Sequence, residues 1–299
     1  MGIRTVGEAF ADLLGSIEPR EAEVDALRAH RTTIEQALKS EFAHFNRVEP
    51  FGSHRKGTAI RTHSDVDYLA VLGRLDITWG SGTVSSSTTL GRLKACLEAR
   101  FPRTPVRIDG PAAVVDFGNG AVDVVPGVWS RTIDDGDGYP VFNIPDGEGG
   151  WLESSPQRYA KYFRDQDARA VSKLGRTLRL LKNWKYARAP KVPVSGYHLE
   201  LVLASHDVCV GAKSYQNCVH DAFALLRDRA GQALNDPLGI SPRIAAAPTA
   251  IQRERFVEAA RYAADHAARA IEAEIRGEDD EAFRQWKLVF NDAFPSRRY

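Results

Sequence analysis

Apolar and polar positions follow two different periods along this chain, and each period predicts a different element. Residues 1–41 carry apolar side chains at helical spacing, most clearly over 21–42, a stretch that begins shortly after Pro19. Residues 44–51 predict a short strand. The segment DVDYLAVL at 65–72 ends in a continuous apolar run, which is typical of a strand buried on both faces. The chain is therefore expected to begin with helix and to pass into sheet.

The middle of the chain predicts further sheet around one helix. Residues 75–87 are rich in Gly, Ser and Thr and predict a loop, and residues 88–101 predict a helix. Three short strands are predicted next, at 106–108, 112–117 and 121–125. Asn119-Gly120 between the last two strands is a strong hairpin signal.

A change of composition divides the chain. Residues 131–150 are rich in Gly, Asp and Pro and predict a loop that connects two lobes. After Pro156 the pattern is mainly helical, with breaks at 190–193 and 235–248. Strands grouped before helices favour an α+β fold with two lobes over alternating βαβ units. We therefore predict two domains, at 1–154 and 155–299.

Composition and charge narrow the class of protein. The 299 residues are 43% apolar and 26% charged, which excludes a disordered chain. Lys and Arg number 40 against 39 Asp and Glu, so the net charge of +1 excludes a protein that coats nucleic acid by bulk charge. No apolar run reaches membrane-spanning length, and the first residues lack a signal-peptide core, so we expect a cytoplasmic protein. Cys96, Cys209 and Cys218 are too few for a disulfide framework.

The segment FGSHRKGTAIRTHSDVDYLAVL at 51–72 carries the candidate chemistry. Gly52 and Ser53 follow a predicted strand, and the backbone N–H groups of such a turn cradle phosphate together with a serine hydroxyl. Asp65 and Asp67 flank one strand residue, so both carboxylates leave the same face. Two neighbouring carboxylates repel each other unless cations lie between them. Carboxylate oxygens are hard ligands, which Mg²⁺ prefers.

A third carboxylate completes a hypothetical two-metal site. Asp123 lies in the strand AVDVVP, and an adjacent strand brings it beside the pair to hold two ions about 4 Å apart. Asp116 is a competing candidate for the third ligand. Asp123 is preferred because its neighbours along the strand are more apolar, and a carboxylate in apolar surroundings is unfavourable unless it binds a partner such as a metal ion. The alternative is that the Asp-x-Asp pair only caps a loop or lies on an exposed edge.

Two other clusters stay open at this stage. A basic group surrounds the phosphate turn and either attracts triphosphate or forms a solvated loop; it comprises His54, Arg55, Lys56, Arg61 and His63. His206, Cys209, Cys218 and His220 form a conceivable zinc set, but their spacing matches no strong zinc pattern, and small core residues are the simpler interpretation of the cysteines.

These motifs resemble a known group of enzymes. The string GS…SDVDYLAVL followed by VDVVP resembles the DNA polymerase β-type nucleotidyltransferase superfamily. The segments LLKNWKYARAPKVPVSGYHLELVLA and NDPLGISP narrow the resemblance to the cGAS/DncV-like nucleotidyltransferases and their oligoadenylate synthase relatives, over residues 40–245. The implied architecture is a bilobal polymerase β-like core with a mixed β-sheet, plus a C-terminal helical lobe that completes the nucleotide pocket.

The resemblance also implies nucleotide-binding residues in the helical half. In the helix around 171–185, Val171, Leu174, Leu178 and Leu181 fall on one stripe, and Lys182 lies just beside it. The family uses such a lysine to contact the donor triphosphate; the alternative is a snorkelling surface lysine. Tyr197 would stack on the donor base or else be a core tyrosine, and Ser195 would line the same pocket.

The expected reaction is template-independent nucleotidyl transfer. Asp65, Asp67 and Asp123 hold two Mg²⁺ ions, or Mn²⁺, and a ribose hydroxyl attacks the α-phosphate of ATP, GTP or another NTP while Ser53 and Lys182 stabilise the leaving pyrophosphate. The resemblance implies a cyclic or linear di- or trinucleotide second messenger, read by a downstream effector in anti-phage signalling, with no membrane and no required nucleic acid. The alternatives are transfer to an RNA 3′ end or a protein side chain, and a non-catalytic nucleotide sensor.

Overall fold

The computed structural model describes residues 3–61, 63, 65–118, 120–134 and 136–298. Contacts divide the chain into two compact units. The sheet unit comprises Pro19–Tyr162 and Leu238–Pro242, and the helical unit comprises the residues up to Glu18, Phe163–Pro237 and the residues from Arg243 onward. The first helix thus groups with the helical unit, and the boundary at 154/155 stays a prediction.

The sheet unit is built on a mixed seven-stranded sheet. Its strands are β1 (Arg47–Phe51), β2 (Val66–Leu72), β5 (Val106–Asp109), β6 (Ala112–Asp116), β7 (Ala121–Ile133), β8 (Tyr139–Pro145) and β9 (Trp151–Ser154), and β3 (Thr78–Trp79) pairs with β4 (Gly82–Thr83) in a separate ribbon. The strand order is β1-β2-β7-β6-β5, with β8 on β7 and β9 on β8. β2 and β7 run parallel, and the other paired strands of the sheet run antiparallel.

Two apolar clusters explain why β2 is apolar throughout. Tyr68, Ala70 and Leu72 pack into a large cluster with residues of the flanking helices, such as Leu38 and Leu93. Leu69 and Val71 face the other way, into a smaller cluster with Val114, Val125 and Phe142. Burial on both faces thus accounts for the unbroken apolar run.

The helices of the sheet unit range from 5 to 15 residues in length. They are α2 (Glu21–Arg28), α3 (Arg31–Glu41), α4 (Gly52–Lys56) and α5 (Ser86–Arg100), with a 3₁₀ turn at Arg74–Ile77. The Ser85 hydroxyl accepts from the backbone N–H of Thr88 and so caps α5.

The helical unit begins with α1 (Val6–Ile17), which a reciprocal capping box of Thr5 and Glu8 starts. It continues with α7 (Lys173–Tyr186), α8 (Gly196–Ser205), α9 (Tyr215–Asp228), α10 (Ala250–Ile275) and α11 (Asp279–Phe290); α6 (Pro156–Arg169) contains the boundary between the units. Phe10 of α1 packs against Trp286 and Phe294, with ring centroids 4.9 and 5.2 Å apart. This aromatic cluster explains why the first helix groups with the last ones.

Most predicted elements are confirmed, and four predictions need correction. The helix over 21–42 is two helices, because the chain turns at Ala29 and His30. The loop at 75–87 contains the small β3–β4 ribbon. The prediction of a loop over 131–150 is wrong, since β7 extends to Ile133 and β8 occupies Tyr139–Pro145. Val171 lies before α7 with a φ of 51° and is 78% exposed, so it does not belong to the apolar stripe. Asn119 of the predicted hairpin turn lies outside the described residues.

In the part of the chain that the structure describes, no helix combines the length and apolar character needed to cross a bilayer.

Candidate active site

Three aspartates meet where β2 and β7 begin. Asp67 is the direct register partner of Asp123 across the parallel pair, so their side chains leave the same face of the sheet. Asp65 lies one residue before β2, and the alternation of side chains along an extended chain directs it to that face as well. Neighbouring strands lie about 4.8 Å apart, so the sheet holds the carboxylates of Asp67 and Asp123 in close proximity.

This proximity is electrostatically unfavourable without a cation. Burial, followed by the negative charges of Asp67 and Asp65, raises the pKa of Asp123 to about 8. Burial also raises the pKa of Asp65. Oδ1 of Asp123 is fully buried and has no hydrogen-bond partner among the described residues. The positive charge of Arg107 lowers the pKa of Asp123 less than burial and the neighbouring carboxylates raise it, and a divalent cation would supply further positive charge.

A tight turn closes directly against Asp67. β1 ends at Phe51, and Gly52 follows with a φ of +73°. A Cβ atom on Gly52 would lie 1.9 Å from Oδ2 of Asp67, so only glycine fits here. The backbone N–H of Ser53 donates to the same oxygen over 3.4 Å. The predicted phosphate turn and the predicted carboxylate pair are therefore in contact.

The donor set fits a magnesium-type ion. The neighbouring ligands are carboxylate oxygens, which Mg²⁺ and Mn²⁺ prefer, and one buried oxygen awaits a partner. Within the described ranges, no three His, Cys, Asp or Glu side chains are arranged closely enough to hold an ion by themselves. The fit rests on the positions and chemistry of these carboxylates rather than on a closed cage.

Asp116, the competing ligand, occupies a different position. It ends β6, is exposed, and pairs with Ala121 rather than with a residue of β2. Its Oδ1 accepts from the backbone N–H of Gly118 over 3.0 Å. The structure thus brings Asp123, and not Asp116, beside Asp67.

Part of the predicted basic group is engaged within the sheet unit. The Arg61 guanidinium forms an ion pair with Glu23 at 2.9 Å. The Arg55 guanidinium donates to the carbonyl of Pro50 over 3.1 Å. These two arginines therefore have structural partners, and a role in attracting triphosphate stays a prediction.

In the helical unit, Lys182 is buried and paired. Its Nζ lies 3.0 Å from Oε1 of Glu200, and the two side chains are 9% and 5% exposed. The alternative interpretation of Lys182 as a snorkelling surface lysine is therefore wrong, because a surface lysine would keep its ammonium group in water. Sequence reasoning missed Glu200. The sequence does contain a sign of this ion pair, since Glu200 interrupts the apolar run HLELVLA. A carboxylate within a buried apolar segment is unfavourable unless a cation pairs with it.

Ser195 and Tyr197 lie at the start of α8, close to Lys182. The Ser195 hydroxyl accepts from the backbone N–H of His198 and so caps the helix. Tyr197 is half-buried. A Cβ on Gly196 would lie 3.7 Å from Cε of Lys182, which is ordinary van der Waals contact. The structure therefore places Gly196, the residue between Ser195 and Tyr197, beside Lys182.

Comparison with known proteins identifies the family. A family model described as the Second Messenger Oligonucleotide or Dinucleotide Synthetase domain matches residues 5–167, more than half of the chain. This chain belongs to that family.

Two curated proteins are similar to this family member. The cyclic AMP-AMP-AMP synthase of Acinetobacter sp. (strain ATCC 27244 / 9458) is 24% identical, over 98% of this chain and 86% of its own length. A probable cyclic nucleotide synthase of Bacillus cereus (strain VD146) is 22% identical, over 82% of this chain and 81% of its own length.

Solved structures share the fold. CdnC of E. coli MS115-1, in a structure with ATP, superposes with a TM-score of 0.73 at 20% identity and covers 97% of this chain and 98% of its own. The apo form of DncV from Vibrio cholerae superposes with a TM-score of 0.73 at 13% identity and covers 98% of this chain and 96% of its own. The α+β prediction and the nucleotidyltransferase resemblance are confirmed.

One further cation near Lys182 was not expected from the sequence. Lys185 follows it on α7, and burial, followed by the charges of Lys191 and Lys182, lowers the pKa of Lys185 to about 8. The positive charges of Lys182 and Lys191 thus repel that of Lys185, and burial further disfavours the charged form of Lys185. An anionic ligand would relieve this repulsion.

The conceivable zinc set does not assemble. Nδ1 of His206 lies 2.8 Å from the carbonyl of Val202, and Nδ1 of His220 lies 2.9 Å from Oδ1 of Asp221. Cys209 and Cys218 are both buried, and their thiols share a hydrogen bond. No metal-holding group of three His, Cys, Asp or Glu side chains occurs in the portion of the chain described.

Proposed function

We propose that this member of the family is a metal-dependent nucleotidyltransferase that joins NTPs into a cyclic or linear di- or trinucleotide. Family membership supports the reaction class. The observation that carries the metal-dependent mechanism is the register of Asp67 with Asp123, with Asp65 on the same face and the Gly52–Ser53 turn against them.

The three aspartates would hold two Mg²⁺ ions, with Mn²⁺ as a substitute. When bound, the ions lower the pKa of a ribose hydroxyl and neutralise charge that develops at the α-phosphate. The chain contributes a rigid frame, because Asp67 and Asp123 belong to two directly paired strands. Burial of Asp123 keeps water from screening its charge, which strengthens its attraction for a cation.

Residues outside the carboxylate cluster would bind the nucleotide. The Ser53 hydroxyl and its N–H, held by the Gly52 turn, would donate to phosphate oxygens. Lys182 would bind the donor triphosphate. Because the triphosphate carries several negative charges, the ammonium group of Lys182 would either break its ion pair with Glu200 or contact both groups at once. Tyr197 would stack on the donor base, with Ser195 in the same pocket.

The proposed substrates are ATP and GTP. One relative is named a cyclic AMP-AMP-AMP synthase, and DncV has been solved with the linear intermediate 5′ pppA(3′,5′)pG. The proposed product is a second messenger that a downstream effector binds in cytoplasmic anti-phage signalling.

The test is product analysis with a matched variant. The full chain is incubated with the four NTPs and Mg²⁺, treated with phosphatase and analysed by mass spectrometry. A phosphatase-resistant oligonucleotide that disappears in Asp65→Asn/Asp67→Asn is the expected result. Absence of both a new phosphodiester and released pyrophosphate would contradict the proposal. Labelled AMP on added tRNA or protein would instead identify the alternative acceptors.

A further inference from the structure

A cavity of about 820 Å³ opens at the far end of the strands that carry the aspartates. It touches Val71 and Leu72, the last two residues of β2, whereas Asp67 lies near the first. At roughly 3.3 Å per residue, the five residues from Asp67 to Leu72 span about 16 Å. The cavity is therefore separate from the carboxylate cluster, and the proposed reaction assigns it no role.

The charged groups that line this cavity are cationic. They are Arg47 and Arg74, and no carboxylate side chain of the described residues lines it. Arg47 is partly neutralised, because it pairs with Glu49. Arg74 is exposed and forms no ion pair with any described residue. An anion in the cavity would therefore find an uncompensated guanidinium, which binds phosphate or carboxylate oxygens in a bidentate manner.

Aromatic rings form another part of the wall. A shift in the β7–β8 register between Trp129 and Arg131 marks a bulge, and Trp129 beside it is 57% exposed. Bulges reorient the side chains next to them, which accounts for a large apolar ring at the surface. Trp151 also lines the cavity, and its Nε1 donates to the carbonyl of Val84 over 3.0 Å, which fixes the ring.

Amide groups add hydrogen-bonding edges to the wall. Asn46 and Asn143 line the cavity, and Oδ1 of Asn46 accepts from the Arg47 guanidinium over 2.9 Å. The amide of Asn143 offers donors and an acceptor side by side, which matches the edge of a nucleobase. Flat rings for stacking, an unpaired guanidinium and amides, without opposing carboxylates, are the chemistry that binds nucleotides. The volume lies within the range of pockets for small molecules, which is about 300–1,000 Å³.

We propose that this cavity is a second ligand site that binds a nucleotide or a short single-stranded oligonucleotide. The base stacks on Trp129, and a phosphate pairs with Arg74. This inference does not rest on the proposed function, because binding here involves neither the aspartates nor a metal ion.

The experiment is calorimetric titration of the full chain in EDTA, which removes divalent cations. ATP and linear 5′-phosphorylated diadenylate are the two probes. The probe that binds with the higher affinity shows whether the natural ligand is a mononucleotide or an oligonucleotide. We expect Arg74→Glu and Trp129→Ala each to weaken binding at least tenfold. The matched variant Trp129→Phe is expected to stay within threefold of the wild type, and Arg74→Lys, which keeps the charge but loses the bidentate fork, is expected to weaken binding less than Arg74→Glu does. Asp67→Asn serves as the control at the other end of the strands, and the Arg74-sensitive binding is expected to persist in it.

Two results would overturn the proposal. One is no binding of either probe to the wild-type chain at millimolar concentration, and the other is binding that Arg74→Glu and Trp129→Ala leave unchanged. Thermal melting confirms folding of each variant. If Arg74→Glu fails to fold, the comparison of Trp129→Ala with Trp129→Phe tests the proposal. Only Trp129→Phe retains an aromatic ring at this position, so weaker binding of Trp129→Ala alone supports stacking. Loss of synthesis in Asp65→Asn/Asp67→Asn with cavity binding retained separates this site from the proposed function.

Discussion

Asp123 shows at the scale of a single residue how folding and chemistry oppose each other. Its carboxylate lies beside Asp67 on the paired strand, and burial and the neighbouring charges raise its pKa to about 8. The same features that make this position unfavourable for the metal-free protein make it attractive for a cation.

The isosteric change Asp123→Asn separates these two effects. We expect synthesis to fall at least a hundredfold, because a neutral amide binds Mg²⁺ poorly. We expect the melting temperature in EDTA to rise by about 2–4 °C, since relief of on the order of 1 kcal/mol of repulsion shifts it by that amount. Product yield and calorimetric melting measure the two quantities. Asp116→Asn, at an exposed end of β6, is the matched control and is expected to keep activity within twofold. Equal losses in both variants would contradict this assignment.

The pKa of Asp123 also predicts a pH dependence of stability. The unfolded chain releases this proton near its ordinary pKa of 3.8, whereas the folded chain keeps it until about pH 8. The resulting stabilisation is fully present below about pH 4 and is lost as the pH rises through about 8. In EDTA, the wild-type melting temperature is expected to fall from pH 6 to pH 9 more steeply than that of Asp123→Asn. For the free energy of unfolding, the corresponding difference in slope is at most about 1.4 kcal/mol per pH unit. Parallel curves for the two proteins would refute this prediction.

Gly52 and Gly57 form a matched pair for the turn. Their φ angles are +73° and +70°, but a Cβ on Gly52 would strike Asp67, whereas a Cβ on Gly57 would meet nothing within 4 Å. Gly57→Ala pays only the left-handed backbone cost of about 1 kcal/mol. Gly52→Ala must in addition displace the Asp67 carboxylate, so we expect at least a hundredfold loss of synthesis against less than fivefold for Gly57→Ala. Steady-state product formation and thermal melting measure both, and similar losses would argue against the contact.

At the scale of elements, a buried ion pair joins α7 to α8. Lys182 and Glu200 are both buried, so removal of one partner leaves an uncompensated charge at a cost of about 3–5 kcal/mol. We expect Glu200→Leu to destabilise by roughly that amount and the double variant Lys182→Met/Glu200→Leu to recover most of it.

The same double variant tests the proposed triphosphate contact. If Lys182 binds the donor triphosphate, the recovered stability does not bring back activity, and the KM for ATP stays at least tenfold above that of the wild type. Denaturant unfolding and initial rates measure the two effects. Full activity in the stable double variant would limit Lys182 to a structural role.

Elements were predictable where one period dominated. The apolar run YLAVL predicted β2, and residues 88–101 predicted a helix where α5 lies, and both elements form there. The strand β8 was missed because YPVFNIP contains two prolines and lies between Gly- and Asp-rich turns. Pairing with β7 and β9 compensates for these unfavourable residues, and a local pattern does not contain this contribution.

At the scale of the whole molecule, charge is the property to test. The net charge of +1 provides no surplus of cations for a long nucleic-acid groove. We therefore expect synthesis to proceed without nucleic acid, with rates within twofold after nuclease treatment or after addition of duplex DNA or RNA. Product formation under these conditions measures the effect, and tenfold activation by a duplex would disprove the expectation.

The sequence by itself indicated the reaction class, because the Gly-Ser turn and the Asp-x-Asp pair are local patterns that resemble those of the nucleotidyltransferases. It also determined the α+β order of elements, since periodicity reflects burial. Only the tertiary structure decided which acid joins Asp67, which partner Lys182 has, and that a cationic cavity lies at the other end of β2. Strand register and helix packing bring together residues that are far apart along the chain, and no local pattern specifies which of them will meet.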